Sequence, residues 1–191
     1  MCTEPKRNVA GVNTRRNAMR IKKVLGLLGS LPKTVYFNFH YLPFHQAIKL
    51  PILLRNPRFI NLKGKIILDC PQEKIRFAMI RLGVYVALEV PYLPVRLDIL
   101  GAIIFKGSCW IGTNSCLQIG KKGTLIFGDN FLSSSGMTLA CYHRIEFKEN
   151  VRVGWGVQIM DTDLHAMQKV AATSGEGLSE KSVETGNYYY I

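Results

Sequence analysis

Asp161, Thr162, Asp163, Leu164 and His165 put one imidazole and two carboxylates within a single short stretch of chain. An imidazole, with an ordinary pKa near 6.5, can take the proton of an attacking hydroxyl close to neutral pH. A carboxylate on its far ring nitrogen would fix the tautomer and stabilise the imidazolium that forms. His165 therefore reads as a general base. In a strand continuing from Ile159, Asp161 and Asp163 fall on the same side, so either could orient it, with Asp163 slightly favoured. Backbone N–H groups would have to serve any oxyanion.

Trp155 lies upstream in a turn-like Gly154-Trp155-Gly156 setting. It could stack on a sugar or a cofactor, or stand as an exposed corner aromatic. Ser133-Ser134-Ser135-Gly136 and Cys141 offer nucleophiles, but no Gly-x-Ser-x-Gly elbow surrounds them, which argues against covalent catalysis. His143 reads as packing locally, and His40 and His45 as structural. Zinc hydrolysis would need three solenoid histidines where only His143 and His165 are placed. The five cysteines are odd in number and lack CxxC spacing, so neither a disulfide framework nor a metal site is expected.

The elements that must position these groups repeat. Phe105, Ile111, Leu117, Ile119, Leu125, Phe127, Leu139, Ile145, Phe147, Val153 and Ile159 recur at intervals of six with slips of two, and Ser133 is the one polar member of the series. That interval is neither helical nor an ordinary strand alternation. It predicts a solenoid of short strands and corners, each hexad opening on an interior residue. Gly, Asn and Asp follow at the corners, where a left-handed backbone is tolerated. A coil of twenty residues, divided six, six and eight, would make three flat faces.

The rest of the chain divides around this array. Residues 1–18 read as a disordered basic tail, with Met19 a candidate natural start. Residues 19–58 read as a helical and aromatic cap. Its Ile21, Val24, Leu25, Leu28 and Leu31 form an apolar stripe that Pro32 ends, and Tyr36–Tyr41 forms an aromatic lid on the first coil. Residues 59–168 read as the solenoid, with strand-like runs at 59–62, 65–68, 76–80 and 100–105. Residues 169–191 read as a loop and an incomplete coil, with Tyr190-Ile191 opening a hexad that is not finished.

The net charge of +12 is confined to one end. Residues 1–65 carry thirteen Lys/Arg against the single acid Glu4, and the remainder is balanced. A segment of that kind could face phosphates, an anionic membrane surface or an acidic partner. No nucleic-acid motif accompanies it. No apolar run approaches the ~20 residues a membrane span requires. The cysteine usage fits a reducing, cytoplasmic compartment, with membrane association through the basic segment as an option.

The hexads, the segment Lys33–Leu54 and the stretch from Trp155 to His165 together resemble the hexapeptide-repeat acyltransferases. The resemblance spans about residues 31–168 and is nearest to the sugar O-acetyltransferases of surface-polysaccharide synthesis. It implies an all-β solenoid, a left-handed parallel β-helix, assembled as a homotrimer. It implies acetyl-CoA as co-substrate, bound between neighbouring solenoids, and a saccharide or glycolipid acceptor. His165 takes the role of general base, with no metal. Members of the family continue for several coils beyond this histidine. The expectation is thus a truncated chain, and the alternative is an inactive remnant or a non-catalytic trimerising scaffold.

Overall fold

A six-residue interval requires the backbone to reverse its side-chain direction at every corner. The computed structural model, which describes residues 29–84 and 93–162, shows how it does so. The fourth residue of successive hexads adopts a positive φ: Asn114, Asn130 and Asn150 at 58°, 59° and 60°, Gly136 at 79° and Gly156 at 68°. Asn and Gly reach this left-handed region at least cost. At these five corners a short strand therefore ends in a bend, and the next begins on a new face.

The strands form three sheets in which every pairing is parallel. The first contains β1 (Ile52–Leu54), β4 (Ile80–Val84), β7 (Cys109–Gly112), β10 (Phe131–Ser133) and β13 (Arg152–Val153). The second contains β2 (Pro57–Leu62), β5 (Val95–Ile99), β8 (Cys116–Ile119), β11 (Thr138–Cys141) and β14 (Gln158–Met160). The third contains β3 (Lys65–Leu68), β6 (Ala102–Phe105), β9 (Thr124–Phe127) and β12 (Arg144–Phe147). Neighbours within each sheet are three strands apart in sequence, which makes the fold a parallel β-solenoid with a short N-terminal helix.

Hexad-opening residues fill the interior as columns. Leu117 pairs with Leu139 and Leu139 with Ile159, steps of 22 and 20 residues. Phe105, Phe127 and Phe147 stack at centroid distances of 5.4 and 5.5 Å, and Phe131 tilts against two of them. Ile111, Leu117, Ile119, Leu125, Phe127 and Leu139 are fully buried. Removing one such Phe side chain would cost about 3–5 kcal/mol.

The early coils depart from the simple repeat. The first runs from Ile52 to its partner Ile80, and a 3-10 turn at Gln72–Lys74 lies in the excursion. The run 76–80, expected to be strand, is mostly turn. Arg76–Met79 wraps around Ala78, whose φ is 53°, and only Ile80 begins β4. The solenoid also opens before residue 59, because β1 already pairs with β4.

The aromatic segment is helical: α1 (Leu31–Tyr41) and α2 (Phe44–Ala47) dock on the first coil. Phe37 is buried between Tyr41 and Phe59, at centroid distances of 4.9 and 5.6 Å. Most of the stripe expected from Ile21 to Leu31, together with the tail and residues 169–191, lies outside the described residues.

Candidate functional site

The coils differ where the second sheet passes to the third. Between β11 and β12 the corner is Tyr142-His143, whereas between β8 and β9 it is Gly120-Lys121-Lys122-Gly123. These two extra residues explain why one coil takes 22 residues and the next 20. The longer corner closes on a hydrogen bond from the Gly123 N–H to the Gly120 carbonyl, 2.8 Å. A Cβ on Gly123 would lie 2.2 Å from the Cys141 carbonyl oxygen of the coil above, so this position requires glycine.

The protruding corner and the short one above it bound a groove of about 450 Å3. Its lining includes Asp98, Gln118, Lys121, Lys122, Tyr142, His143 and Thr162. The Gln118 amide donates to the Tyr142 hydroxyl at 2.9 Å, which fixes the ring across Gly120. Asp98 accepts from the Asn61 amide at 2.8 Å. Lys121 and Lys122 are exposed and pair with no carboxylate among the described residues. The groove thus has two exposed lysines in its wall and a lining that combines the apolar Leu100 and Ile119 with Asp98, Gln118 and Tyr142.

Asp161 follows β14 and turns back onto the coil beneath. Its Oδ1 accepts the Tyr142 N–H at 2.6 Å and its Oδ2 the His143 N–H at 2.8 Å. The carboxylate thereby satisfies two corner donors that no strand could pair, a structural task. The Cys141 thiol also donates to Oδ2, at 3.6 Å. Burial first, and the Asp161 charge second, push that thiol up to about 12, which leaves it a poor nucleophile.

The sequence candidates do not all meet. Thr162 reaches the groove, whereas Asp163 and His165 lie outside the described residues. Trp155 is 68% exposed, but it sits on the corner between the first and second sheets. The whole of β14 separates it from Asp161. His143, expected to pack locally, is exposed and lines the groove, because the two-residue corner turns it outward. Ser133 and Ser135 are buried with unpartnered hydroxyls, out of reach of a substrate. Among the described residues no cluster of His, Cys, Asp or Glu could hold a metal ion, and no helix is long and apolar enough to cross a membrane.

Lys121, Lys122 and Tyr142 were not singled out from the sequence, and His143 was read only as packing locally. The signal was available in the interval itself: Ile119 to Leu125 takes six residues, whereas the structurally equivalent Cys141 to Ile145 takes four.

No protein-family model matches the chain, and no curated protein or solved structure matches it either.

Proposed function

We propose that the chain is an acyl-CoA-dependent O-acyltransferase, with acetyl-CoA as donor and a saccharide or glycolipid hydroxyl as acceptor. The observation that carries the reading is the groove that Thr162 helps to line, three residues before His165 in sequence. Three residues of chain reach at most about 11 Å, which bounds how far His165 can lie from Thr162. The two exposed lysines in the groove wall suit a phosphate-bearing ligand. The resemblance of the hexads and of the Asp161–His165 stretch to left-handed β-helix acyltransferases supports the same reading.

The chemistry asks little of the protein. The acceptor oxygen attacks the thioester carbonyl as His165 removes its proton, and collapse of the tetrahedral species expels the CoA thiolate. The imidazolium then returns the proton to sulfur, giving ester and free thiol. A well-placed base contributes ~10²–10⁴-fold. Both oxygens of Asp161 are engaged by backbone N–H groups, so the carboxylate assigned to orient His165 is Asp163. Assembly as a homotrimer would place a neighbouring solenoid against the groove.

Thiol release from acetyl-CoA, measured across a panel of saccharide acceptors, tests the proposal. Acceptor-dependent release that disappears in His165→Ala supports it. Release unchanged by that substitution, or absence of CoA binding by calorimetry, would sink it in favour of a non-catalytic scaffold.

A further inference from the structure

Helix α1 buries Phe37 on its inward face but leaves other large apolar side chains outside. Its inward face carries Thr34 and Asn38, both fully buried, because it covers the open edge of β1 and must supply hydrogen-bonding groups there. Its outward face carries Val35, Tyr36 and Phe39, and α2 continues the strip with Phe44 and, just beyond it, Ile48. All five are exposed, Phe44 by 70% and Ile48 by 60%. Phe39 and Phe44 touch edge to face at 6.0 Å, so the apolar surface is continuous across the two helices. Two adjacent helices presenting aromatics outward form a surface that seeks a partner.

Charge identifies that partner. No acidic residue occurs between Glu4 and Asp69, and residues 29–65 carry six Lys/Arg. A second copy of this face would bring basic surface against basic surface. Residues 1–28, with seven Lys/Arg and one acid, have the same sign. The occupant must combine negative charge with a medium that accepts aromatic rings. We propose that this face docks on an anionic lipid bilayer, with Phe39, Phe44 and Ile48 entering the headgroup boundary and the net positive charge of the N-terminal segment attracting it to lipid phosphates. Aromatic side chains favour that interface. The inference does not depend on the acyltransferase reading. It would hold the solenoid at a membrane surface by its N-terminal end.

Co-sedimentation of the full chain with vesicles tests it, using phosphatidylcholine alone and phosphatidylcholine mixed with phosphatidylglycerol. Binding is expected only to the mixed vesicles, weakening as salt rises, and at least about tenfold weaker in Phe39→Ser/Phe44→Ser. If that double variant fails to fold, Ile48→Asp makes the same comparison. Three outcomes overturn the proposal: no binding to mixed vesicles, equal binding to neutral ones, or undiminished binding by the variants, which would leave the basic segment acting without the aromatic face. Self-association lost in the double variant, without vesicle binding, would assign the face to a second copy instead.

Discussion

Asn38 pairs with Ile52 as a residue of a neighbouring strand would: its amide donates to the Ile52 carbonyl at 2.7 Å and its oxygen accepts the Ile52 N–H at 3.1 Å. Two residues along β1, Thr34 does the same for Leu54 with one hydroxyl, at 3.3 and 3.2 Å. A solenoid's first strand has a free edge, and such edges invite unwanted pairing. Here one turn of helix closes the edge with side chains. Asn38→Leu would leave the Ile52 N–H and C=O buried and unpaired, at a cost of about 1–3 kcal/mol for each group left unpaired. Urea denaturation should show a loss of several kcal/mol, and a loss under 1 kcal/mol would mean that water replaces the amide.

Asp161 and His165 should separate by readout. Asp161→Ala removes the acceptor of the Tyr142 and His143 N–H groups. It should lower the unfolding midpoint by an amount equivalent to about 1–3 kcal/mol. His165→Ala should leave that midpoint within about 0.5 kcal/mol and lower kcat by ~10²–10⁴-fold. Asp163→Asn should lower kcat with the midpoint preserved. If Asp161→Asn instead shifted the pH profile of kcat at unchanged stability, Asp161 would be the orienting carboxylate.

Ser133 occupies an interior column between Ile111 and Val153, with its hydroxyl buried and unpartnered. A desolvated hydroxyl without a hydrogen bond costs about 1–3 kcal/mol. Ser133→Ala removes that cost and almost no volume, so it should raise stability by roughly 1 kcal/mol. A destabilised Ser133→Ala would show that the hydroxyl has a partner in the assembled protein.

Interior columns such as Leu117, Leu139 and Ile159 were legible in the sequence because a hexad is a local unit: its first residue faces inward whatever lies in the next coil. The corner asparagines, Asn114, Asn130 and Asn150, were legible for the same reason. The cap was not. Hydrophobicity assigns Phe39 and Phe44 to a core and Asn38 to solvent, and the structure inverts both, because α1 covers a strand edge with Thr34 and Asn38 and packs only Phe37 into the core. The corner-capping role of Asp161 was equally hidden. It depends on which N–H groups of a coil some twenty residues away meet the carboxylate, and no local pattern records that.

Asp129 caps a corner in the way Asp161 does, and it should make folding stability depend on acid pH. Its Oδ1 accepts the Ser108 N–H at 2.7 Å, the Ser108 hydroxyl at 3.0 Å and the Asn130 N–H at 2.8 Å. A Cβ on Gly107 would lie 2.1 Å from that oxygen, so glycine there lets the carboxylate in. These hydrogen bonds, the Ser108 N–H foremost, hold the Asp129 carboxyl below its usual value against the opposing effect of burial. A depressed folded-state pKa means the stabilisation is present above the unfolded carboxyl's ~4 and disappears as pH falls through the folded value. Wild type should therefore lose stability below about pH 4 more steeply than Asp129→Asn, whose amide oxygen can still accept but does not titrate. Glu146 adds a drop of the same sign in both proteins, because Lys148, Arg144 and Lys106 hold its carboxyl at about 2. The difference between the two unfolding curves across pH 2–5 isolates Asp129. Parallel curves would show that the Ser108 contact is as strong with a neutral acceptor as with a charged one.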